Sequence, residues 1–339
     1  MVERTFGRAI DQAIDDAMAR DETIVLIGED ISLLRAPLFA RYGAERVLAA
    51  PISESAFIGA AAGAAMAGLR PVVELFMVDF IAVAFDAVLN HVAKLDGFSG
   101  GRWTCPLLIR APCGAGYGDG GQHGQALWGT LAAIPGLTVV VPSTPADAYA
   151  LTTTALCHDG PVILLEPKLL SEEWLEMLGR SGRDTVKLDV PAAGARGEVS
   201  EPPAEVPFGS AVVRREGTDV SICSVGVGVH RALESAASLA ADGVSCEVVD
   251  LRSLRPLDTA TVVGSVRKTG KLVVVDEDYR EHGLSGELAA LALEAGLAPR
   301  FARVCVEDTL PYARVLEDAA LPNVVRIRAA VQGLLAQKS

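Results

Sequence analysis

Apolar positions in the first half of the chain follow two rhythms in turn. From Glu3 to Arg20 they fall at Phe6, Ile10, Ala13, Ile14 and Met18, the spacing of one helix face, which predicts an amphipathic helix. Thr23 to Ile27 is instead a nearly unbroken apolar run, and similar runs recur at Val47 to Ile52, Pro71 to Met77, Pro106 to Ile109, Leu137 to Val141 and Pro161 to Leu165. Helical patterns lie between them. Strands that are apolar on both faces need helices over both faces, so the pattern predicts a largely parallel sheet.

The rhythm lapses between about Leu175 and Pro207, where Pro, Gly and charge dominate. From Phe208 it resumes, with strands predicted at Val220 to Ser224, Ser245 to Val249, Leu272 to Val275 and Arg303 to Val306. Helices fit at His230 to Ala241, Thr259 to Lys268, Gly286 to Ala295 and Val325 to Leu335, and the Gly226-Val227-Gly228 step reads as a strand end. The expected architecture is α/β: two sandwich domains with mainly parallel sheets, residues 1–174 and 208–339, joined by a linker over 175–207.

Composition narrows the function. Half of the 339 residues are hydrophobic, enough for a buried core, which excludes a disordered or fibrous chain. There are 30 basic and 43 acidic residues, giving −13 with no run of five like charges, so nothing here would neutralise nucleic-acid phosphates. The most apolar stretch, Pro71 to Leu89, is interrupted by Glu74, Asp79 and Asp86, too often for a membrane span. The opening MVERTFGRAIDQAIDD has neither a signal peptide's apolar centre nor a transit peptide's lack of acids, and a cytoplasmic protein is expected. The six cysteines form no CxxC and no Cys/His pairing; Cys157, Cys223, Cys246 and Cys305 lie in apolar runs and are expected to be buried. No GxxxxGK[ST] phosphate loop and no GxGxxG at a strand-to-helix turn is present.

Three residues could carry chemistry. Glu54 lies where an apolar strand gives way to a helix of small residues, with Ser53 available as its cap. Two readings stand: a first-turn acid that complements the helix dipole, or a carboxyl group at the sheet edge where such folds bind ligands. Gly59, Gly63 and Gly68 would let that helix approach the sheet or another subunit closely. His123 lies in the glycine-dense CGAGYGDGGQHGQALWG, either as an exposed loop histidine or as an acid or base at a strand's carboxyl end. Phe80 follows a buried strand and is either core or an aromatic face for a planar ring. Gly118-Asp119-Gly120 opens like a thiamin diphosphate and magnesium motif, which requires an asparagine further on. The chain has only Asn90 and Asn323, neither at that distance, so this GDG reads as a loop coincidence.

In order along the chain come IGED (27–30), PISESAFIGAAAGAAMAGLRPVVE (51–74), DF (79–80), GGQHGQ (120–125), IPGLTVVVPSTPADA (134–148), GPVILLEPKLL (160–170), REGTDVSICSVG (215–226), VVDLRSLRPLD (248–258) and KTGKLVVVDE (268–277). With these blocks the chain resembles, nearly end to end, the beta subunit of the thiamin diphosphate-dependent component of 2-oxo acid dehydrogenase complexes. That family includes the pyruvate, branched-chain and acetoin enzymes. The resemblance implies a pyrimidine-binding domain, a transketolase-type C-terminal domain, and an alpha subunit that supplies magnesium and diphosphate binding in a heterotetramer of two alpha and two beta chains. It also implies a lipoyl acyltransferase core as a partner.

By the same resemblance, Glu54 matches the glutamate that hydrogen-bonds the cofactor's aminopyrimidine nitrogen, and Phe80 the aromatic that packs on that ring. His123 matches the histidine that assists the bound substrate and its transfer to the lipoyl group. Backbone carbonyls of Leu107, Ala155, Leu156, His158 and Gly160 align with a potassium site, although His158 and Gly160 stand where relatives carry Asp and Asn. Other departures are His123-Gly124-Gln125 without the family's serine, Trp128 and Ala133 at positions usually acidic or small and histidine, and a shortened segment between Asp30 and Phe39. These imply a remodelled substrate funnel. ELFMVDF looks closer to acetoin-type members than to pyruvate-type ones. Two alternatives accompany this reading: the C-terminal half of a split transketolase that moves ketol units between sugar phosphates, and a non-catalytic assembly subunit.

Overall fold

The computed structural model describes residues 1–180, 188–201 and 206–336. The apolar runs of the first half form the body of a seven-stranded sheet. Its order is Ser253–Arg255, Thr138–Val140, Val162–Pro167, Leu108–Cys113, Arg70–Glu74, Ile24–Glu29 and Val47–Ala50. Neighbours are parallel, with Ile24 opposite Arg70 and Leu108 opposite Val162, except that Ser253–Arg255 runs antiparallel to Thr138–Val140. That edge strand comes from the second half of the chain. The second sheet has the order Arg300–Val306, Lys271–Tyr279, Val220–Ser224, Cys246–Asp250 and Val212–Arg215, parallel apart from its last member.

The helix expected over Glu3 to Arg20 begins only at Phe6 and ends at Met18. Val2–Thr5 is a strand, paired antiparallel with Arg196–Val199. A partner so distant in sequence leaves no local periodicity to read. The helix start is capped from elsewhere, since the Glu172 carboxylate accepts from the backbone N–H of Gly7 (2.8 Å) and Arg8 (2.9 Å). Arg196–Val199 and the helices Glu172–Arg180 and Ala192–Ala195 give structure to much of the segment expected as a linker; its residues 181–187 and 202–205 lie outside the described ones.

Two local expectations are corrected. Gly226 and Gly228 open the helix Gly226–Ala241 rather than end a strand, and Gly226 takes a φ of +54° that favours glycine. Cys157 is exposed at the end of Pro145–Cys157, while the other five cysteines are buried, and all six are free thiols.

One face of the large sheet packs Phe6, Ile10, Ile14 and Met18 against Leu26, Val72, Leu151 and Leu164. The other face carries Phe57, Ile58 and Leu131 into a cluster continuous with Val249, Val262 and Leu272 of the second half. Each such side chain contributes roughly 1.5–3 kcal/mol by leaving water. Polar contacts reinforce the junction: Trp128 Nε1 donates to Asp276 Oδ1 at 2.8 Å, Ser143 to Asp250, and Arg214 pairs with Asp147. Among the described residues no helix is long and apolar enough to cross a membrane.

Candidate active site

Open parallel sheets bind ligands beyond the carboxyl ends of their strands, because the chain reverses direction there and leaves a crevice. In the seven-stranded sheet that edge receives Glu29 from Ile24–Glu29, Glu54 after Val47–Ala50, Phe80 after Arg70–Glu74, the glycine-rich segment after Leu108–Cys113 and Lys168 after Val162–Pro167. The three candidates from the sequence thus share one edge.

Glu54 is the first residue of the helix Glu54–Met66 and is only 6% exposed. Ser53 does not cap this helix; its Oγ donates back to the Pro51 carbonyl at 3.1 Å. No described residue donates a hydrogen bond to the Glu54 carboxylate. Its oxygens are not among the fully buried unpartnered atoms, so the carboxylate opens to the crevice, where a ligand N–H would reach it. Glu29 lies close enough to respond to it: burial, then the negative charges of Glu54 and Asp30, push the Glu29 carboxyl up. Sequence reading passed over Glu29, although it stands in the quoted IGED block. At Gly59 and Gly63 nothing lies within 4 Å of where a Cβ would be, so this face of the helix approaches no part of its own chain.

Phe80 sits in the short 3₁₀ turn Val78–Ala82 and is half-buried. Its ring meets the imidazole of His123 edge to face, with 5.8 Å between centroids and 86° between planes. Asp119, read from the sequence as a coincidence, places Oδ2 3.6 Å from His123 Nδ1. The absence of a metal motif hid this role, because one helical-turn-like spacing inside a glycine loop carries no periodic signal. The loop's far end is held by Asp79, whose Oδ1 accepts from Gln125 Nε2 (2.8 Å), and by Tyr279, whose hydroxyl donates to Gln125 Oε1 (3.1 Å). Asp79 Oδ2 is buried and unpartnered among the described residues.

The departures from the family pattern also find places. Trp128 is 1% exposed and faces Asp276, so it belongs to the junction of the two halves and not to a substrate funnel; only Ala133 is exposed. Within the shortened segment, Arg35 buries its guanidinium against Glu74 (2.8 Å), which Arg110 also reaches (3.1 Å). Four of the five carbonyls aligned with a potassium site already accept hydrogen bonds. Leu107 O takes one from Val162 N (2.9 Å) and Ala155 O one from His158 N (3.2 Å). Leu156 O and His158 O take theirs from the Arg70 guanidinium, at 3.0 and 2.6 Å. His158 itself stacks edge-on with Phe208, and its ring covers Gly160. A positive charge of the chain's own therefore meets this set. Among the described residues no group of three or more His, Cys, Asp or Glu is placed to hold a metal ion.

The family model described as the transketolase pyrimidine-binding domain matches residues 3–172, and that of the transketolase C-terminal domain matches 209–327. The chain is 40% identical to the acetoin:2,6-dichlorophenolindophenol oxidoreductase subunit beta of Cupriavidus necator, covering 96% of this chain and 95% of that one. It is 36% identical to the mitochondrial pyruvate dehydrogenase E1 component subunit beta of Dictyostelium discoideum, covering 96% and 89%. Among solved structures, a split-gene transketolase described as an inactive beta4 tetramer superimposes with a TM-score of 0.78 at 25% identity, over 99% of both chains. With its two transketolase-type domains, the chain belongs to the family of the beta subunits of pyruvate dehydrogenase E1 and of the acetoin oxidoreductases.

Proposed function

We propose that this chain is the beta subunit of a thiamin diphosphate-dependent dehydrogenase acting on a 2-oxo acid or on acetoin, completed by an alpha subunit. The observation that carries the reading is the Glu54 carboxylate, without a hydrogen-bond partner among the described residues and open at the same sheet edge as the Phe80–His123 pair. These residues fit the aminopyrimidine half of that cofactor: a carboxyl to hold a ring nitrogen, and an aromatic face beside it. The diphosphate and magnesium half has no counterpart among the described residues: Asp119 lies 3.6 Å from His123, and neither Asn90 nor Asn323 follows it at the metal motif's spacing. An alpha chain is the reading's source for both.

When bound, the cofactor supplies an acidic thiazolium carbon that can add to a carbonyl group. Glu54 would hold the pyrimidine nitrogen and keep a proton between the two, with Glu29 close behind as a second carboxyl. Phe80 would press on the ring and exclude water from it. His123, oriented by Asp119, would donate or accept the proton that the substrate oxygen gains or loses. A lipoyl acyltransferase is the acceptor on this reading. For potassium the carbonyl set does not fit, and no step depends on it.

Glu54→Gln in the co-expressed alpha and beta pair tests the reading. Turnover of pyruvate or acetoin with an artificial electron acceptor is expected to fall by on the order of 10²-fold or more. Near-normal turnover overturns it. The close superposition on a split-gene transketolase favours one second reading, ketol transfer between sugar phosphates. Turnover of a ketose phosphate and an aldose phosphate by the same pair, with none of pyruvate or acetoin, selects that reading instead.

A further inference from the structure

The loop that carries His123 is fastened from both sides by buried charges that the chemistry above does not use. Lys168 is fully buried, and its ammonium donates to the His123 backbone carbonyl at 2.5 Å and to the Tyr117 hydroxyl. The same ammonium lies 4.7 Å from the centre of the Tyr117 ring, and the Tyr117 hydroxyl donates to the His123 carbonyl as well. From the second half of the chain, fully buried Glu317 accepts the backbone N–H of Gly118 at 2.8 Å and of Gly116 at 3.2 Å.

The glycines of the loop explain how such a fastening is possible. A Cβ at Gly120 would come within 2.8 Å of the Tyr312 ring, one at Gly121 within 2.6 Å of Thr309, and one at Gly118 3.3 Å from the Tyr312 carbonyl. Bare backbone is therefore laid directly on the segment from Thr309 to Glu317. A lysine and a glutamate rarely leave water without a strong local return, because desolvation opposes both charges. Here burial pushes the Lys168 ammonium down to about 8 and the Glu317 carboxyl up. Besides Arg314, 3.6 Å from Glu317, and the Tyr117 hydroxyl at Lys168, what each obtains in exchange is backbone of the one loop that carries the candidate histidine.

We propose that Lys168 and Glu317 are positioning residues for His123, forming a two-sided clamp through which the C-terminal domain sets the geometry of a site on the other domain. The inference rests on the functional reading of His123 given above. Its physical content is that a misplacement of about 1 Å can cost roughly 10²-fold in rate while leaving binding of a group held elsewhere untouched.

Lys168→Met and Glu317→Gln, each in the alpha and beta pair, test this against Glu54→Gln as a control. Thiamin diphosphate affinity and deuterium exchange at its thiazolium carbon, which report on Glu54, are expected to stay within about threefold of wild type. Turnover number with pyruvate or acetoin is expected to fall about 10- to 100-fold. Lys168→Arg, which keeps the charge, is expected to recover most of that loss. In the full chain alone, amide exchange across Gly114 to Gln125 is expected to accelerate by about tenfold or more in both variants. Unchanged loop exchange and turnover overturn the clamp. Wild-type carbon exchange in Glu54→Gln overturns the cofactor reading and leaves the loop-exchange result standing. If a variant does not fold, the wild-type chain decides: the amides of Gly116 and Gly118 must exchange as slowly as those of the core strand Leu108–Cys113. Fast exchange there overturns the proposal.

Discussion

The imidazole of His123 and the ring of Phe80 meet at 86°, edge to face, although they come from different strand ends of the sheet. Contact does not make their duties the same. Phe80→Ala removes an aromatic face worth about 0.5–1.5 kcal/mol, so thiamin diphosphate binding to the alpha and beta pair should weaken roughly 2- to 12-fold. His123→Ala should leave that affinity nearly unchanged and lower the turnover number about 10²- to 10⁴-fold. Calorimetry and steady-state rates on both variants check this. Equal losses of affinity in the two would mean that they act as one packing unit.

Much of this site was legible because it lies where fully apolar strands end, and such strands announce themselves. Ile24–Glu29, Leu108–Cys113 and Val162–Pro167 all fall within a few residues of the runs that predict them. The candidates Glu54, Phe80 and His123 stand past such runs, after Val47–Ala50, Arg70–Glu74 and Leu108–Cys113. Lys168 and Glu317 stand in similar places, yet a lysine or glutamate near a strand end or in a short helix is ordinarily a surface residue. Only the tertiary structure shows them buried. Ser53 failed in the opposite way, since its sequence position allows a cap but its hydroxyl bonds backwards to Pro51. The strand Val2–Thr5 was missed because its partner lies at Arg196–Val199.

Glu277 gives the fold a pH dependence with a definite sign. It is buried at the end of Lys271–Tyr279, and desolvation pushes its carboxyl from 4.5 up to about 7. Between those values the folded chain keeps a proton that the unfolded chain has released, so stability falls as pH rises across the window. Neighbouring Asp276, raised from 3.8 to about 7 by burial and by Asp278, acts in the same direction. Glu277→Gln removes one of these protons from the balance. Its melting temperature should exceed that of the wild type at pH 8 and match it near pH 4, with a shallower slope between. An equal difference at both ends would show that the substitution acts through packing alone.

Arg70 sets an expectation for potassium. Its guanidinium already bonds the carbonyls of Leu156 and His158. An ion bound at 100 times its dissociation constant would stabilise the fold by about 2.7 kcal/mol. At roughly 2–4 °C per kcal/mol that is a rise of several degrees. Melting in potassium and in sodium chloride at equal ionic strength should therefore agree within about 1 °C, while Arg70→Met should lower both alike. A rise specific to potassium would show that the carbonyls can serve an ion and the arginine together.

By the resemblance Gly124 stands where the family carries serine, and the structure leaves little room for a side chain there. A Cβ there would lie 3.0 Å from the Gly120 carbonyl oxygen, 3.1 Å from the Ala115 Cβ and 3.3 Å from the Leu310 Cδ1. Leu310 can rotate away, but the other two belong to the clamped loop and its root. Restoring the serine should thus force the loop outward at a cost of about 1–3 kcal/mol and carry His123 with it. Gly124→Ser should melt several degrees below the wild type and turn over substrate more slowly, with thiamin diphosphate affinity retained because Glu54 and Phe80 do not move. Combining it with Leu310→Ala opens space on one side and should return part of both losses. A serine variant that melts with the wild type and reacts faster would mean that the loop yields freely, and that the glycine is a departure without a packing cause.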